Sequence, residues 1–297
     1  SLCSRPTRRD TTRPAGTTIR PLTRTAVTVT AAMSTTWRSS LVSRKEAWLG
    51  GDKSLVVAVG NSGGDLDTIV SSIAAAHLLG GVAMVPFPRA ELALRRDAVA
   101  LLEFYGFFPQ AREGATGSPF APPELLYADD VRTDVDVDVD GSYGRKVALT
   151  DHNVLDRRLP HFGAGADVVA IFDHHADEGA HSDALPRDVD PGAGSASTLL
   201  GERLLMEVKK HKAKNANVIK SYTDASPPEE LLAMVAAAIA LDARGFDPAQ
   251  KKYSRRDIRV ADGLFDVLGV DKKPPPAEEN DDDDDEAKIE AKLVDRL

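Results

Sequence analysis

The chain alternates between short apolar runs and segments that contain Gly, Asn, Asp or His. Four of the apolar runs lead into a polar segment with an acidic or imidazole side chain, and they cover residues 54–59, 147–150, 168–172 and 236–241. Runs of this length with such boundaries are typical of buried strands in a parallel sheet. A further strand is predicted over residues 82–87.

Helical patterns occupy much of the sequence between these runs. They predict helices over residues 68–79, 91–104 and 194–205, the last of which Ser195 or Ser197 can cap. Another helix begins at Pro227-Pro228, because proline fits the first helical turn. The periodicity leaves open whether this helix continues to Leu241 or gives way to a strand.

Because strands alternate with helices, we expect an α/β fold with a mostly parallel sheet and helices on both faces. Residues 109–142 interrupt this alternation. They are rich in Pro, Gly and Asp, and they predict a loop or an insertion. The predicted domain covers residues 46–268.

The two ends of the chain differ from this domain in composition. Residues 1–45 are rich in Arg, Ser and Thr. They predict a disordered segment, either an organelle transit peptide or the translation of an untranslated leader before Met33. Neither interpretation gives them a place in a core. A start at Met33 predicts a cytoplasmic protein, whereas a transit peptide over residues 1–32 predicts a chloroplast or a mitochondrion. Residues 269–297 form an acidic linker followed by a helical pattern.

Composition excludes several classes of protein. The chain has 297 residues and a formal net charge of -9, which argues against a protein that coats nucleic acid, since such proteins are strongly basic. The single cysteine, Cys3, excludes an internal disulfide and a zinc site with several cysteines. No apolar stretch reaches the length of a membrane span. We therefore expect neither a nucleic-acid partner nor a membrane partner.

Candidate metal ligands follow the four apolar runs. In chain order they are Asp65 with Asp67, Asp151, Asp173 with His174, and Asp242. Ligands of open parallel sheets bind at the carboxyl ends of the strands, so these side chains are expected to meet at one edge. Carboxylate oxygens suit Mg²⁺ and Mn²⁺, and a mixed Asp/His set favours Mn²⁺.

The number of candidate ligands exceeds the needs of one ion. Two ions about 3.5–4 Å apart would activate a water and neutralise a phosphoryl oxygen. No activated Ser, Cys or Thr nucleophile is evident, so the predicted reaction is hydrolysis of a phosphoester or phosphoanhydride by direct attack of water. Each motif alone also fits a helix cap or a solvated turn, but four such placements in this order are hard to obtain by chance.

Taken together, these segments resemble the DHH phosphoesterase superfamily. Residues 171–175 (Ile-Phe-Asp-His-His) are similar to the motif that names it, residues 60–67 to its first motif, residues 149–153 to its second, and Asp242 to its fourth. Family II inorganic pyrophosphatases usually carry His at the position of Asn61. The Asn at this position resembles instead the sequences of the branch of eukaryotic exopolyphosphatases and prune proteins. Residues 88–97 and 194–203 resemble the same branch. The resemblance covers about residues 54–268.

The resemblance implies a role for each matching ligand. One ion would be bound by Asp67, Asp151, His174 and Asp242. The other would be held by Asp65 and by a bridging Asp151, with Asn61 nearby. Asp173 would orient the imidazole of His174, because a metal-bound histidine needs its other N–H held, or it would complete the shell of ligands.

The resemblance also implies candidates for contact with substrate. His175 would face the substrate phosphate as a donor or an acid, so the predicted catalytic residues are Asp151, His174 and His175. Lys252 would reach phosphate, although it also fits a surface charge. Arg95 and Arg96 are further candidates for contact with substrate, although both also fit ion pairs with Glu91 or Asp97. His152 would either hold the metal ligands in place or lie in a polar loop.

The chain departs from the family pattern in two places. Ala243 follows Asp242 where the family usually has Thr, so a hydroxyl is lost but the carboxylate is kept. The subgroup also has a smaller C-terminal α/β domain that closes over the sheet edge and supplies basic residues. Residues 287–297 resemble only its opening helix, so this second domain is expected to be largely missing.

The leading hypothesis is a hydrolase that uses two Mn²⁺ or Mg²⁺ ions to remove terminal phosphate from inorganic polyphosphate. Inorganic pyrophosphatase activity is the nearest alternative, and prune-like cyclic-nucleotide phosphodiesterase activity is another. A regulatory binding protein with vestigial ligands is the alternative from a different class, and the intact ligand set argues against it.

Overall fold

Six short strands form one sheet in which every pair is parallel. The computed structural model describes residues 27–52, 54–108, 121–131, 145–156, 166–215 and 226–270. The strands in this part of the chain are β1 (Val57–Val59), β2 (Val82–Val85), β3 (Leu126–Tyr127), β4 (Lys146–Thr150), β5 (Asp167–Asp173) and β6 (Arg187–Val189). Their order in the sheet is β3-β2-β1-β4-β5-β6.

Six α-helices accompany the sheet in the described residues. They are α1 (Val27–Leu49), α2 (Leu66–Leu79), α3 (Arg96–Phe104), α4 (Ala196–Asn215), α5 (Glu229–Asp242) and α6 (Arg255–Leu268). Short 3-10 helices cover Arg89–Leu94, Ala128–Asp130 and Arg244–Phe246. None of the described helices is both long and apolar enough to cross a membrane.

The strand side chains alternate between the two faces of the sheet. One face presents four small buried side chains, Ala58, Ala83, Ala148 and Ala170, which let helices pack closely, and it shares one apolar core with α2 to α6. The other face presents larger side chains such as Met84 and Leu149. Among the described residues it is covered by Trp48 of α1 and by loop residues. The described helices therefore divide unequally between the two faces.

The order of the strands reverses between β1 and β4. The chain runs outward from β1 through β2 to β3, then returns beside β1 as β4 and continues outward through β5 to β6. Such a reversal leaves a crevice at the carboxyl ends of the two central strands, where ligands of open α/β sheets bind. Gly60 directly follows β1 here, and any Cβ on it would lie 2.2 Å from the Thr68 methyl carbon of α2.

The α/β fold and its parallel sheet are confirmed, with corrections to single elements. Helix α5 runs without interruption from Glu229 to Asp242, so the strand considered for residues 236–241 is wrong, and Asp242 ends a helix. The predicted insertion contains β3 within its described part. Strand β6 was not predicted, because its three residues are half-buried and form no apolar run.

Helix α1 corrects the expectation that residues 1–45 take no part in a core. Leu41 is only 1% exposed, and Trp37 packs against the same cluster. Trp37 also donates its ring N–H to Glu230 of α5 at 2.7 Å. The Arg-rich composition hid the spacing of Trp37, Leu41 and Trp48, which suits one helical face. Residues 1–26 and 271–297 lie outside the described residues, so the predicted leader, linker and second domain stay predictions there.

Candidate metal centre

Asp151 follows β4 directly and connects three elements at the crevice. Its backbone has φ 63°, a left-handed conformation that is uncommon for a residue other than glycine and is frequent at functional sites. Its buried carboxylate accepts hydrogen bonds at Oδ2 from Asn61 Nδ2 and from Thr68 Oγ1, the latter at 2.6 Å. Its other oxygen, Oδ1, lies 3.1 Å from His174 Nε2.

His174 is the first residue after β5 and lies between the carboxylates. Its Nε2 is 3.1 Å from Asp151 Oδ1 and 4.0 Å from Asp67 Oδ2. On the other side of the ring, Nδ1 is 3.3 Å from the carbonyl oxygen of Ala193. A proton on Nδ1 would therefore be held by that carbonyl, which leaves Nε2 to face the carboxylates.

The structure pairs Asp173 with His175, so the expectation that Asp173 orients His174 is wrong. Asp173 Oδ1 is 2.8 Å from His175 Nδ1 and accepts the backbone N–H of His175 at 3.2 Å. Side chains two residues apart on an extended chain share a side, whereas neighbours point apart. Asp173 is fully buried, and its Oδ2 accepts a hydrogen bond from Asn153. The imidazole of His175 remains 56% exposed.

Two further carboxylates come from helices. Asp67 lies in the first turn of α2 and is 3% exposed. It accepts hydrogen bonds from Ser195 Oγ and Ala196 N, both at 2.7 Å, and from Ser197 N at 2.9 Å. Asp242 is the last residue of α5. The helix-borne ligands thus depend on how α2, α4 and α5 pack together.

Two groups of side chains in the described residues each place one ligand atom per residue within 4.8 Å of the others. One group is Asp67, His174 and Asp242, and the other is Asp151, His174 and His175. The groups share His174 and therefore lie side by side. Adjacent sets of carboxylate and imidazole donors fit a pair of divalent cations.

The crowding of acidic groups shifts the pKa values of this cluster. Burial, followed by the negative charges of Asp67 and Asp65, raises the pKa of Asp242 to about 8. Burial also raises the pKa of Asp151 to about 6, against the opposing hydrogen bond from His174. Burial lowers the pKa of His174, but the Asp151 hydrogen bond and the nearby carboxylates outweigh it and raise the pKa to about 9.

The carboxylate and imidazole chemistry of the donor set fits a divalent cation, and the shifts are consistent with such a site. Protonation of Asp242 and His174 relieves the repulsion between the carboxylates in the absence of a cation. A divalent cation would relieve the same repulsion and displace those protons. The identity of the ion, Mn²⁺ or Mg²⁺, stays a prediction.

Two of the predicted ligands have other contacts in the structure. Asp65 caps α2, where its Oδ1 accepts the Thr68 N–H at 2.9 Å, and it lies outside both ligand groups although its charge reaches Asp242. Asn61 uses its carbonyl oxygen within its own loop, accepting Gly63 N at 2.7 Å and Gly64 N at 3.3 Å. Ligand roles for these two residues therefore stay predictions.

Arg95 fixes the same loop from outside. Its guanidinium donates to the carbonyl oxygens of Gly63 and Gly64 and lies 3.7 Å from the centre of the Phe87 ring. Gly64 has φ 61°, and a Cβ there would lie 2.5 Å from that ring. These contacts favour a structural role for Arg95 over contact with substrate. Arg95 also donates to Glu91, but to its backbone carbonyl oxygen and not to its carboxylate.

The remaining predicted residues are Arg96, Lys252 and His152. Arg96 is the exposed first residue of α3, and Lys252 is exposed. The carbonyl oxygen of Lys252 lies 2.5 Å from where a Cβ on Gly194 would stand, so its loop packs on the turn before α4. His152 Nδ1 is 2.9 Å from Thr150 O, and burial lowers the pKa of His152. The substrate roles of Arg96 and Lys252 stay predictions.

Several contacts at the centre were missed from the sequence. Thr68 and Asn153 hold Asp151 and Asp173, and both stand beside predicted ligands in the sequence, which is the signal that could have found them. Ser195 caps α4 as expected, since its Oγ accepts Ser197 N at 3.1 Å. Its second contact, with Asp67, had no sequence signal because 128 residues separate the pair.

Three comparisons relate the chain to known proteins. A Schizosaccharomyces pombe protein described as "Putative exopolyphosphatase" is 32% identical over 150 residues, which are 48% of this chain and 34% of that protein. The chain thus spans about a third of the length of this relative. The crystal structure of an exopolyphosphatase-related protein from Bacteroides fragilis aligns with a TM-score of 0.44 and 16% identity, over 79% of this chain and 58% of that one. The sequence pattern of the DHH family, N-terminal domain, matches residues 55–239, and the chain belongs to this family.

Proposed function

We propose that this chain is a metal-dependent hydrolase of phosphoanhydrides that releases terminal phosphate from inorganic polyphosphate. The observation that carries the proposal is the double group of ligands around His174, at the crevice where the strand order reverses. Mixed carboxylate and imidazole donors in two adjacent sets suit two Mn²⁺ or Mg²⁺ ions. When bound, such a pair supplies an activated water and neutralises the charge of a phosphoryl group.

The residues of the chain prepare the centre for this chemistry. Asn61 and Thr68 hold Oδ2 of Asp151, so Oδ1 is the oxygen that faces His174. The carbonyl of Ala193 and the carboxylates on its other side fix the ring of His174. Ligands that are already oriented lose little conformational freedom when a cation binds, which favours tight binding.

His175 is the residue that we assign to the substrate. Asp173 holds its Nδ1, and Asn153 in turn holds Asp173. The ring is more than half exposed next to Asp151, with its Nδ1 3.7 Å from Asp151 Oδ1. A histidine held at Nδ1 by a carboxylate can donate a proton from Nε2 to the phosphate oxygen that leaves.

Two observations support polyphosphate as the substrate. The fission-yeast relative is described as an exopolyphosphatase. Asn61 also stands where family II pyrophosphatases usually carry His, and here it contacts the loop and Asp151. Inorganic pyrophosphate is the second candidate, since the proposed ligands would serve either phosphoanhydride.

The test compares substrates under matched metal conditions. The full chain is stripped with EDTA, supplied with Mn²⁺ or Mg²⁺, and incubated with long-chain polyphosphate, with pyrophosphate and with a cyclic nucleotide. Phosphate release from polyphosphate that requires an ion supports the proposal. Silence with both ions contradicts it, faster release from pyrophosphate assigns the alternative, and turnover of only the cyclic nucleotide assigns a phosphodiesterase.

We also propose a cytoplasmic location, with a chloroplast or mitochondrion as the alternative if residues 1–32 are a transit peptide. The Arg- and Ser-rich composition of that segment and the Met33 that follows it support the two alternatives equally. Fractionation of the cells distinguishes them, because a mature chain that begins at Met33 would fit both. Recovery of the protein in the cytosolic fraction supports the cytoplasm.

A further inference from the structure

Asp67 differs from the other carboxylates of the centre in what holds it. Three donors from the first turn of α4 converge on it: the hydroxyl of Ser195 and the backbone N–H groups of Ala196 and Ser197. All four residues are buried. Since α2 carries Asp67 and α4 carries the donors, the contact also joins two helices that pack against each other.

The three donors are divided unequally between the two carboxylate oxygens. Oδ1 accepts from Ser195 Oγ at 2.7 Å and from Ser197 N at 2.9 Å, whereas of these three donors Oδ2 accepts Ala196 N alone, at 2.7 Å. The Asp242 side chain makes a further hydrogen bond with Asp67. A carboxylate oxygen has about two lone-pair sites. The three donors of α4 therefore fill Oδ1 and leave one site on Oδ2, and Oδ2 is the oxygen that lies 4.0 Å from His174 Nε2.

Ser195 is the one side chain among these three donors, and its own geometry is constrained. Its Oγ accepts Ser197 N at 3.1 Å, so its hydroxyl proton is directed to Asp67. We propose that Ser195 is a positioning residue for the metal centre. Its hydrogen bond sets the rotation of the Asp67 carboxylate so that the open site of Oδ2 faces the cation. This inference rests on the proposed metal-dependent function.

The opposite side of the same helical turn provides a matched control. Thr198 donates its hydroxyl to Asp257 of α6, a fully buried carboxylate that also accepts the N–H of Gly194 at 2.9 Å. Thr198 and Ser195 are thus both buried hydroxyl residues in the first turn of α4, and each donates to a buried aspartate. Only the Ser195 contact reaches a candidate metal ligand.

The test compares Ser195→Ala with Thr198→Val in the full chain stripped of metal. The dissociation constant for Mn²⁺ is measured by titration calorimetry, and the unfolding temperature is measured without metal. Loss of a residue that orients a metal ligand typically weakens metal binding about 10–100-fold. We expect that loss for Ser195→Ala, whereas Thr198→Val should lower the unfolding temperature and keep the wild-type dissociation constant. Ser195→Gly is measured alongside, because glycine is tolerated at a helix N-cap.

The possible outcomes separate this inference from the proposed function. If the wild type fails to bind Mn²⁺ and also Mg²⁺, the metal-dependent function fails and the inference fails with it. If the wild type binds Mn²⁺ and both Ser195 variants bind it as tightly as the wild type, Ser195 only caps α4. That result overturns this inference and leaves the proposed function standing. Equal weakening by Thr198→Val would also overturn it, because the effect would then come from loosening of α4.

Discussion

The two halves of the candidate metal centre are built in different ways. Asp151 and His174 directly follow β4 and β5, and Asp151 is held by Asn61 of the loop after β1 and by Thr68 of α2. Asp67 and Asp242 lie at helix ends, and the N-terminus of α4 holds Asp67 across 128 to 130 residues of sequence. The ligands of the strand half are therefore placed by the strands that they follow, whereas the ligands of the helix half depend on the packing of three helices.

The largest effect should come from the strand half, through Asp151→Asn. We expect phosphate release to fall by at least about 1000-fold, which corresponds to about 4 kcal/mol of activation free energy. The metal-free variant should unfold at the wild-type temperature or above it, because one charge is removed from a repelling cluster. Parallel assays of phosphate release and thermal unfolding check both expectations. Activity close to that of the wild type would contradict the assignment of Asp151.

The carboxylates of the helix half should make the stability of the metal-free protein depend on pH. Because the pKa of Asp242 is raised to about 8 and that of His174 to about 9, the folded protein holds protons that the unfolded chain releases. The metal-free protein should therefore lose stability as pH rises from about 6 to about 9. Mn²⁺ should reverse this loss, since it replaces the protons.

Asp242→Asn isolates the contribution of the helix half to this pH dependence. Between about pH 6 and pH 9, the unfolding temperature of the variant should fall by a few degrees less than that of the wild type. Calorimetry in EDTA measures this difference. It should also bind Mn²⁺ more weakly, by about 100-fold. A pH profile identical to that of the wild type would show that Asp242 is charged throughout and does not share the repulsion.

A smaller effect is expected from Asn153, which supports the strand half from behind. Asn153 is buried, donates to Asp173 and to Ala176 O, and accepts the N–H of Glu178 at 3.0 Å. Asn153→Ala should cost about 1–3 kcal/mol of unfolding free energy, because it leaves buried partners unsatisfied. Phosphate release should fall through His175, while Mn²⁺ affinity stays within a few-fold. A loss of Mn²⁺ affinity as large as that expected for Asp242→Asn would contradict this division of roles.

The smallest effect is expected from Lys252→Ala. Lys252 is exposed, so its loss should change stability by less than about 0.5 kcal/mol. If its charge meets the substrate, the KM for polyphosphate should rise by up to about fivefold, as for an exposed ion pair. Lys251→Ala, at the neighbouring exposed lysine, is the matched control. Equal KM values for both variants would assign Lys252 to the surface.

The difference between the two halves also explains what could be predicted from the sequence. Asp151 and His174 were found because each follows an apolar run that forms a strand. Asp242 follows a run of alanines and aliphatic residues that suits a strand or a buried helix, and only packing against the other helices decides for α5. The partners of Asp67 depend on how the helices meet in space, which periodicity does not contain, whereas the pairing of Asp173 with His175 follows from their two-residue spacing on an extended chain.

His174 belongs to both ligand groups, and this sharing sets a limit on them. The edge of its ring that points into the cluster has one nitrogen, Nε2. The unprotonated nitrogen of a neutral imidazole has a single lone pair. It can therefore coordinate only one cation at a time, and the other cation must rely on carboxylate oxygens such as those of Asp151. The two positions should consequently be unequal, with one ion that is retained through purification and one that exchanges readily with the buffer.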